Sequence, residues 1–166
     1  MTNSRPLNGA DYLMRGFDYE LRQHGYAGNS CQIILELDGA VSADRLRQRL
    51  AVIAANNPMI SARATGVCHA KWEIPEKASA PKVRVHREDS ELATKLVNEP
   101  VDVDNGELTR FDLIECADGK TIVIFTWAHV LMDAHSAEHF VAVEWPGVAH
   151  GKSRRLLAAR GSQQPS

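Results

Sequence analysis

The sequence is poor in cysteine, has no long apolar run and is nearly balanced in charge, and each shortage removes a class of function. Three cysteines, Cys31, Cys68 and Cys116, are spread across 166 residues. They are odd in number and set in strand-like contexts, so they read as reduced, mostly buried thiols and not as a disulfide framework. None stands in a Cys-x-x-Cys pair of the kind that holds zinc. No stretch approaches the roughly 20 apolar residues of a bilayer-spanning helix. The opening Met1-Thr2-Asn3-Ser4-Arg5-Pro6 lacks the apolar centre of a secretory signal. A cytoplasmic protein without a membrane span is expected. Nineteen Lys and Arg face 21 Asp and Glu, for a net charge of −2. Nucleic-acid binding, which calls for a clustered basic face, is not expected. What remains is an ordinary globular composition, 44% hydrophobic and 24% charged, at a length that suits one domain with its own core.

Hydrophobic periodicity divides the chain into alternating helices and strands. Residues 11–22 carry Tyr12, Leu13, Phe17, Tyr19 and Leu21, a short helix after a cap at Asn8. Residues 31–37 form a dense apolar strand closed by Asp38-Gly39. Ser42 is an N-cap for a helix with Leu46, Leu50, Ile53 and Ala54 on one face; Arg45, Arg47 and Arg49 make its solvated side. After Pro58 the period changes. Residues 59–65 and 69–74 predict a hairpin around Gly66, with Trp72 as a core anchor. Residues 82–87 alternate like a half-buried strand, and 90–98 are helical with Leu92, Leu96 and Val97 on one side. Residues 100–107 are a loop. Residues 108–115 and 120–127 make the clearest hairpin, turning at Ala117-Asp118-Gly119-Lys120.

That last strand leads into Trp127-Ala128-His129-Val130-Leu131-Met132-Asp133-Ala134-His135-Ser136. A rigid strand aims whatever stands at its end, and the following loop admits substrate. His129 holds that position, with the carboxylate of Asp133 four residues on and Ser136 placed to cap a helix at 137–143. The stretch resembles the His-His-x-x-x-Asp-Gly motif of the chloramphenicol acetyltransferase-like superfamily, which includes nonribosomal peptide condensation domains, plant acyltransferases and polyketide-associated acyltransferases. His129 matches the second His and Asp133 the Asp, while Ala128 and Ala134 replace the first His and the Gly. Asn57-Pro58-Met59-Ile60-Ser61-Ala62-Arg63 is similar to the family's His-Pro-x-Leu-Arg-x-Arg segment, keeping its second Arg as Arg63 and replacing the first by Ser61.

The resemblance covers residues 5–145 and implies an α+β fold, a mixed β-sheet flanked by helices, corresponding to the family's N-terminal lobe. It implies acyl transfer from a thioester to a hydroxyl or amine, with His129 as general base. Asp133 would pair with Arg63 and hold the loop. The implied co-substrate is acyl-coenzyme A or an acyl-phosphopantetheine carrier, with no tightly bound cofactor. The implied partners are a thioester donor, a small-molecule acceptor and an acyl carrier protein. Family members continue into a second lobe that closes the active-site channel, so the resemblance also implies either a homo-oligomer that shares sites or a separate second lobe.

Other readings of the same residues stand beside this one. His135 and His139 lie four apart, as zinc ligands on a helix do, but no further His stands two residues from His129, and a metal site is not expected. Trp127 and Trp145, like Trp72, read as core anchors. Residues 146–166 are polar and rich in chain breakers, a flexible tail with at most a loose helix at 154–160. The non-enzymatic alternative is a degenerate half-domain, serving as a scaffold or partner lobe, or a truncated gene product.

Overall fold

Strand Thr121–Ala128 is buried along nearly its whole length and is the middle of a five-stranded sheet. It is β7 of a computed structural model that describes residues 3–66, 69–89, 91–144 and 154–161. Ahead of it come β1 (Asn3–Pro6), α1 (Gly9–Gln23), β2 (Ser30–Leu37), α2 (Ala43–Asn56), β3 (Arg63–Thr65), β4 (Lys71–Ile74), β5 (Lys82–Arg87), α3 (Leu92–Val97) and β6 (Thr109–Glu115). After it come α4 (Ala134–Glu144) and β8 (Arg154–Gly161). The large sheet runs β5-β6-β7-β2-β8; β5 lies parallel to β6 through the α3 crossover, and the other pairs are antiparallel. A smaller sheet, β1-β4-β3, is antiparallel throughout. The mixed sheet flanked by helices is the architecture the sequence implies.

Alternation along the strands sends two side-chain sets to two faces. On one face Ile33, Leu35, Leu37, Phe111, Val123, Phe125 and Trp127 pack against Leu46, Leu50 and Ile53 of α2 and Ala137 and Val141 of α4. Phe125 stacks on Phe111 and on Trp127, with ring centroids 4.6 and 5.1 Å apart. On the other face Ile114 and Ile124 pack against Leu96 of α3. A third cluster seats the small sheet on the large one, with Trp72 fully buried among Leu7, Val101, Leu108 and Ala128. The Trp72 indole donates to Asp11 Oδ2 at 3.1 Å, so its one polar atom is satisfied.

The α3 face of β5 and β6 also carries buried charge. Arg110 is 1% exposed and Asp112 0%. Arg84 donates to both Asp112 oxygens and both Glu99 oxygens, and His86 Nε2 lies 2.8 Å from Asp112. Burial pushes the Asp112 carboxyl up, but the hydrogen bonds from Arg84 and His86 and the charges of Arg84 and Arg110 outweigh it and hold it below the usual range. The Arg84 hydrogen bonds likewise lower Glu99 against the opposing effect of burial. Arg110 then reaches the carbonyls of Glu99 and Pro100, at 2.8 and 3.0 Å. The fold has thereby pinned the chain that leads from α3 to the site.

Several local expectations change. Residues 58–61 coil into a 3-10 turn, Pro58–Ser61, because Pro58 suits the start of a helical turn; the hairpin around Gly66 is the shorter pair β3 and β4. The 100–107 loop contains a second such turn, Val103–Asn105. Residues 3–6, without a strand signature, form β1 against β4. The expected loose helix at 154–160 is instead strand β8, running antiparallel to β2, whose outer backbone groups it pairs. Cys31 and Cys116 are free and half-buried, and burial raises both thiols, helped at Cys116 by Glu88 and Asp118. Cys68 and Trp145 lie outside the described residues.

Candidate active site

The motif stretch begins where β7 ends. Ala128 completes the strand, its N–H donating to Leu108 O at 2.9 Å, and His129 opens the loop, half-buried. The His129 N–H donates to Asn29 O at 3.0 Å, extending the β2–β7 ladder one residue past its Ser30–Ala128 pair. Two further bonds fold the loop back on the strand. Leu131 N–H reaches Ala128 O at 2.9 Å, and the Trp127 indole, already a core anchor, donates to Met132 O at 2.9 Å. The backbone at the imidazole is therefore fixed by hydrogen bonds on both sides.

Asp133 and Arg63 do not meet. Asp133 is the N-cap of α4: its carboxylate accepts the Ser136 N–H at 2.7 Å and its carbonyl accepts the Ala137 N–H at 3.0 Å. The cap expected at Ser136 thus belongs to Asp133, three residues earlier, and α4 starts at Ala134. Ala134 takes helical backbone geometry, so glycine's freedom is not required there. The hydrogen bonds from Ser136 hold the Asp133 carboxyl below its ordinary value. Arg63 is exposed on β3 and points to its cross-strand neighbour, donating to Glu73 Oε2 from Nε at 3.0 Å and from a terminal nitrogen at 2.9 Å. The expected clasp fails for a geometric reason. Register places Glu73 directly opposite Arg63, while the helix N-terminus offers Asp133 an unpaired N–H.

Two cavities flank the motif loop. Ala128 and Val130 line one of about 180 Å³, with Met14, Tyr19 and Val103 across from them. Leu131, Met132 and Ser136 line another, open one of about 410 Å³, together with Met59, Ile60 and Phe140. His139 also borders the second cavity, and His135 is exposed at the start of α4. Among the described residues no three His, Cys, Asp or Glu side chains gather as metal ligands. No helix among them is long and apolar enough to cross a membrane.

One set of polar residues at the site escaped the sequence reading. Asp18 Oδ1 accepts the Asn29 N–H at 2.7 Å, Arg22 Nε donates to Asp18 Oδ2 at 2.8 Å, and an Arg22 terminal nitrogen donates to Val101 O at 2.8 Å. In sequence, Asp18 and Arg22 look like an ordinary surface pair one helical turn apart; nothing in the spacing ties them to Asn29.

No protein-family model matches the chain, and no curated protein does. Solved structures do. The starter condensation domain of the rhizomide synthetase RzmA superposes with a TM-score of 0.65 at 11% identity, over 86% of this chain and 36% of that one. The tallysomycin biosynthesis protein TlmII gives 0.64 at 18% identity, over 86% and 37%. The X-domain complex with OxyB from teicoplanin biosynthesis gives 0.65 at 16% identity, over 89% and 35%. A mutant of the RzmA starter domain, similar at a TM-score of 0.65, is in complex with C8-CoA. The fold is that of a condensation-domain lobe. The chain spans about a third of the length of the structures it matches, 36% for the RzmA domain.

Proposed function

We propose that this chain is one lobe of a condensation-type acyltransferase, with His129 as the general base. The observation that carries the reading is the position of His129: it opens a hydrogen-bonded loop at the end of the sheet's central strand, in a fold shared with condensation domains, and its loop neighbours Ala128, Val130, Leu131 and Met132 line two cavities. An acceptor hydroxyl or amine gives its proton to the imidazole and attacks the thioester carbonyl. The C–O or C–N bond forms, the C–S bond breaks, and the thiolate leaves with the proton returned from His129. Such assistance contributes about 10²–10⁴-fold. The donor is an acyl group on coenzyme A or on a carrier's phosphopantetheine. Because the chain spans 36% of the RzmA domain, a second lobe or a second copy supplies the rest of the channel.

The test is release of free coenzyme A from C8-CoA in the presence of hydroxyl and amine acceptors, with the parent compared to His129→Ala. Loss of about 10²-fold or more supports the base role; equal rates remove it. A second reading, a catalytically silent partner or scaffold lobe, draws on one specific observation: Arg63 pairs with Glu73, leaving Asp133 to cap α4 on the surface. Light scattering on the purified chain bears on the choice, since a shared-site enzyme self-assembles or requires its second lobe.

A further inference from the structure

The polar face of α1 is turned toward the motif loop, and its residues connect to the His129 backbone in an unbroken series. Val101 O holds Arg22, Arg22 holds Asp18, Asp18 holds the Asn29 N–H, and Asn29 O holds the His129 N–H, each at 2.7 to 3.0 Å. Asn29 is fastened a second time, its side-chain nitrogen donating to Met14 O at 3.3 Å. At the far end, Val101 follows the two carbonyls already taken by the buried Arg110. Three consecutive carbonyls, of Glu99, Pro100 and Val101, are thus each bound by a guanidinium. Gly28 explains how α1 comes so close. It is buried at φ +82°, and a Cβ there would collide with Asp18 Oδ1 and come within 2.9 Å of Arg22 Nε.

We infer that Asp18 is a positioning residue for His129, acting through the backbone of Asn29. This inference rests on the acyltransferase reading only for its effect on rate; its structural half stands without it. The physical basis is that a carboxylate accepting a peptide N–H makes a short, charge-assisted bond, and here it holds the N–H of the residue, Asn29, whose carbonyl accepts the His129 N–H. Asp18 fills the place expected of Asp133: it is the carboxylate, paired with an arginine, that holds the imidazole's segment still. It touches neither substrate nor the ring.

The test follows the His129 ring directly by ¹H–¹³C spectra of the chain with labelled histidine, the His129 resonance assigned by its loss in His129→Ala. In Asp18→Ala the His129 resonance is expected to shift and broaden while those of His24 and His69 stay in place. Where transfer is measurable, kcat is expected to fall about tenfold or more with KM little changed, within the about 10²-fold that a displacement of roughly 1 Å costs. Asp18→Asn, which keeps one acceptor oxygen for the Asn29 N–H, is expected to recover part of both signals and serves if Asp18→Ala does not fold. Ile114→Val, a core change on the α3 face, controls for general loss of stability and is expected to move neither. An unmoved His129 resonance in both Asp18 variants overturns the inference. A parent chain without transfer, with the resonance moving as expected, counts against the acyltransferase reading and leaves the positioning intact.

Discussion

Helices α1 and α2 are both amphipathic and both capped, by Asn8 and Ser42, yet they meet the protein with opposite faces. In α2 the apolar stripe is inside: Leu50 is 1% exposed, and the arginines lie on the exposed side. In α1 most of the large apolar residues are outside, Leu13 at 55% and Phe17 at 51%, and the directed inner contacts are made by Asp11, Asp18 and Arg22. Periodicity says which side chains share a face, but not which face the fold turns inward. A helix that covers a core is held by burial of apolar area. One that braces a loop is held by directed hydrogen bonds, and its stability contribution and its functional contribution are separate quantities.

The contrast can be broken at graded cost. Asp112→Ala strands Arg84 and Arg110 in the network that pins the Val101 segment, and should cost about 3–5 kcal/mol in urea unfolding. Leu50→Ala in α2 opens a cavity in the main core and should cost about 2–5 kcal/mol by the same measurement. Asn8→Ala removes the side-chain half of the α1 capping box, the 2.9 Å bond from the Asp11 N–H to Asn8 Oδ1, while the position-8 N–H can still donate to Asp11 Oδ2, and should cost about 0.5–2 kcal/mol. Phe17→Ala on the outer face of α1 should change stability by no more than about 0.5 kcal/mol. A loss in Phe17→Ala as large as that in Leu50→Ala would erase the contrast between the two helices.

Acid sharpens it further. The Asp112 and Glu99 carboxyls lie below their ordinary values in the folded protein, so each adds stability that is present above about pH 4 and lost as pH falls through the lowered folded value. Unfolding free energy should therefore decline below about pH 4, and Asp112→Asn should flatten that decline. Leu50→Ala should lower stability at every pH without altering the slope.

The elements with a strong local signal were legible from sequence. β7, β2 and α2 each carry an apolar period matched to their structure, and Asn8 and Ser42 announce two helix starts with their own side chains. β1 and β8 were not, because their strand geometry comes from the partners β4 and β2, through tertiary pairing and not through propensity. At the site, the loop carrying His129 was legible, since a strand must end and a loop begin there. The roles of the acidic residues were not. Asp133 lies next to a helix terminus whose unpaired N–H groups compete for its carboxylate, and Arg63 lies opposite Glu73 by β3–β4 register, a pairing that no one-dimensional spacing reveals. Asp18 and Asn29 are joined only because the chain reverses tightly at Gly28.

The most direct measurement of the central claim is thiol release from C8-CoA by the parent, His129→Ala, Asp18→Ala and Asp133→Ala, side by side on folded, scattering-matched samples. The imidazole at the end of β7 as base predicts the largest loss at His129, an intermediate loss at Asp18 and the smallest at Asp133, which only caps α4. A His129→Ala rate equal to that of the parent would contradict the account.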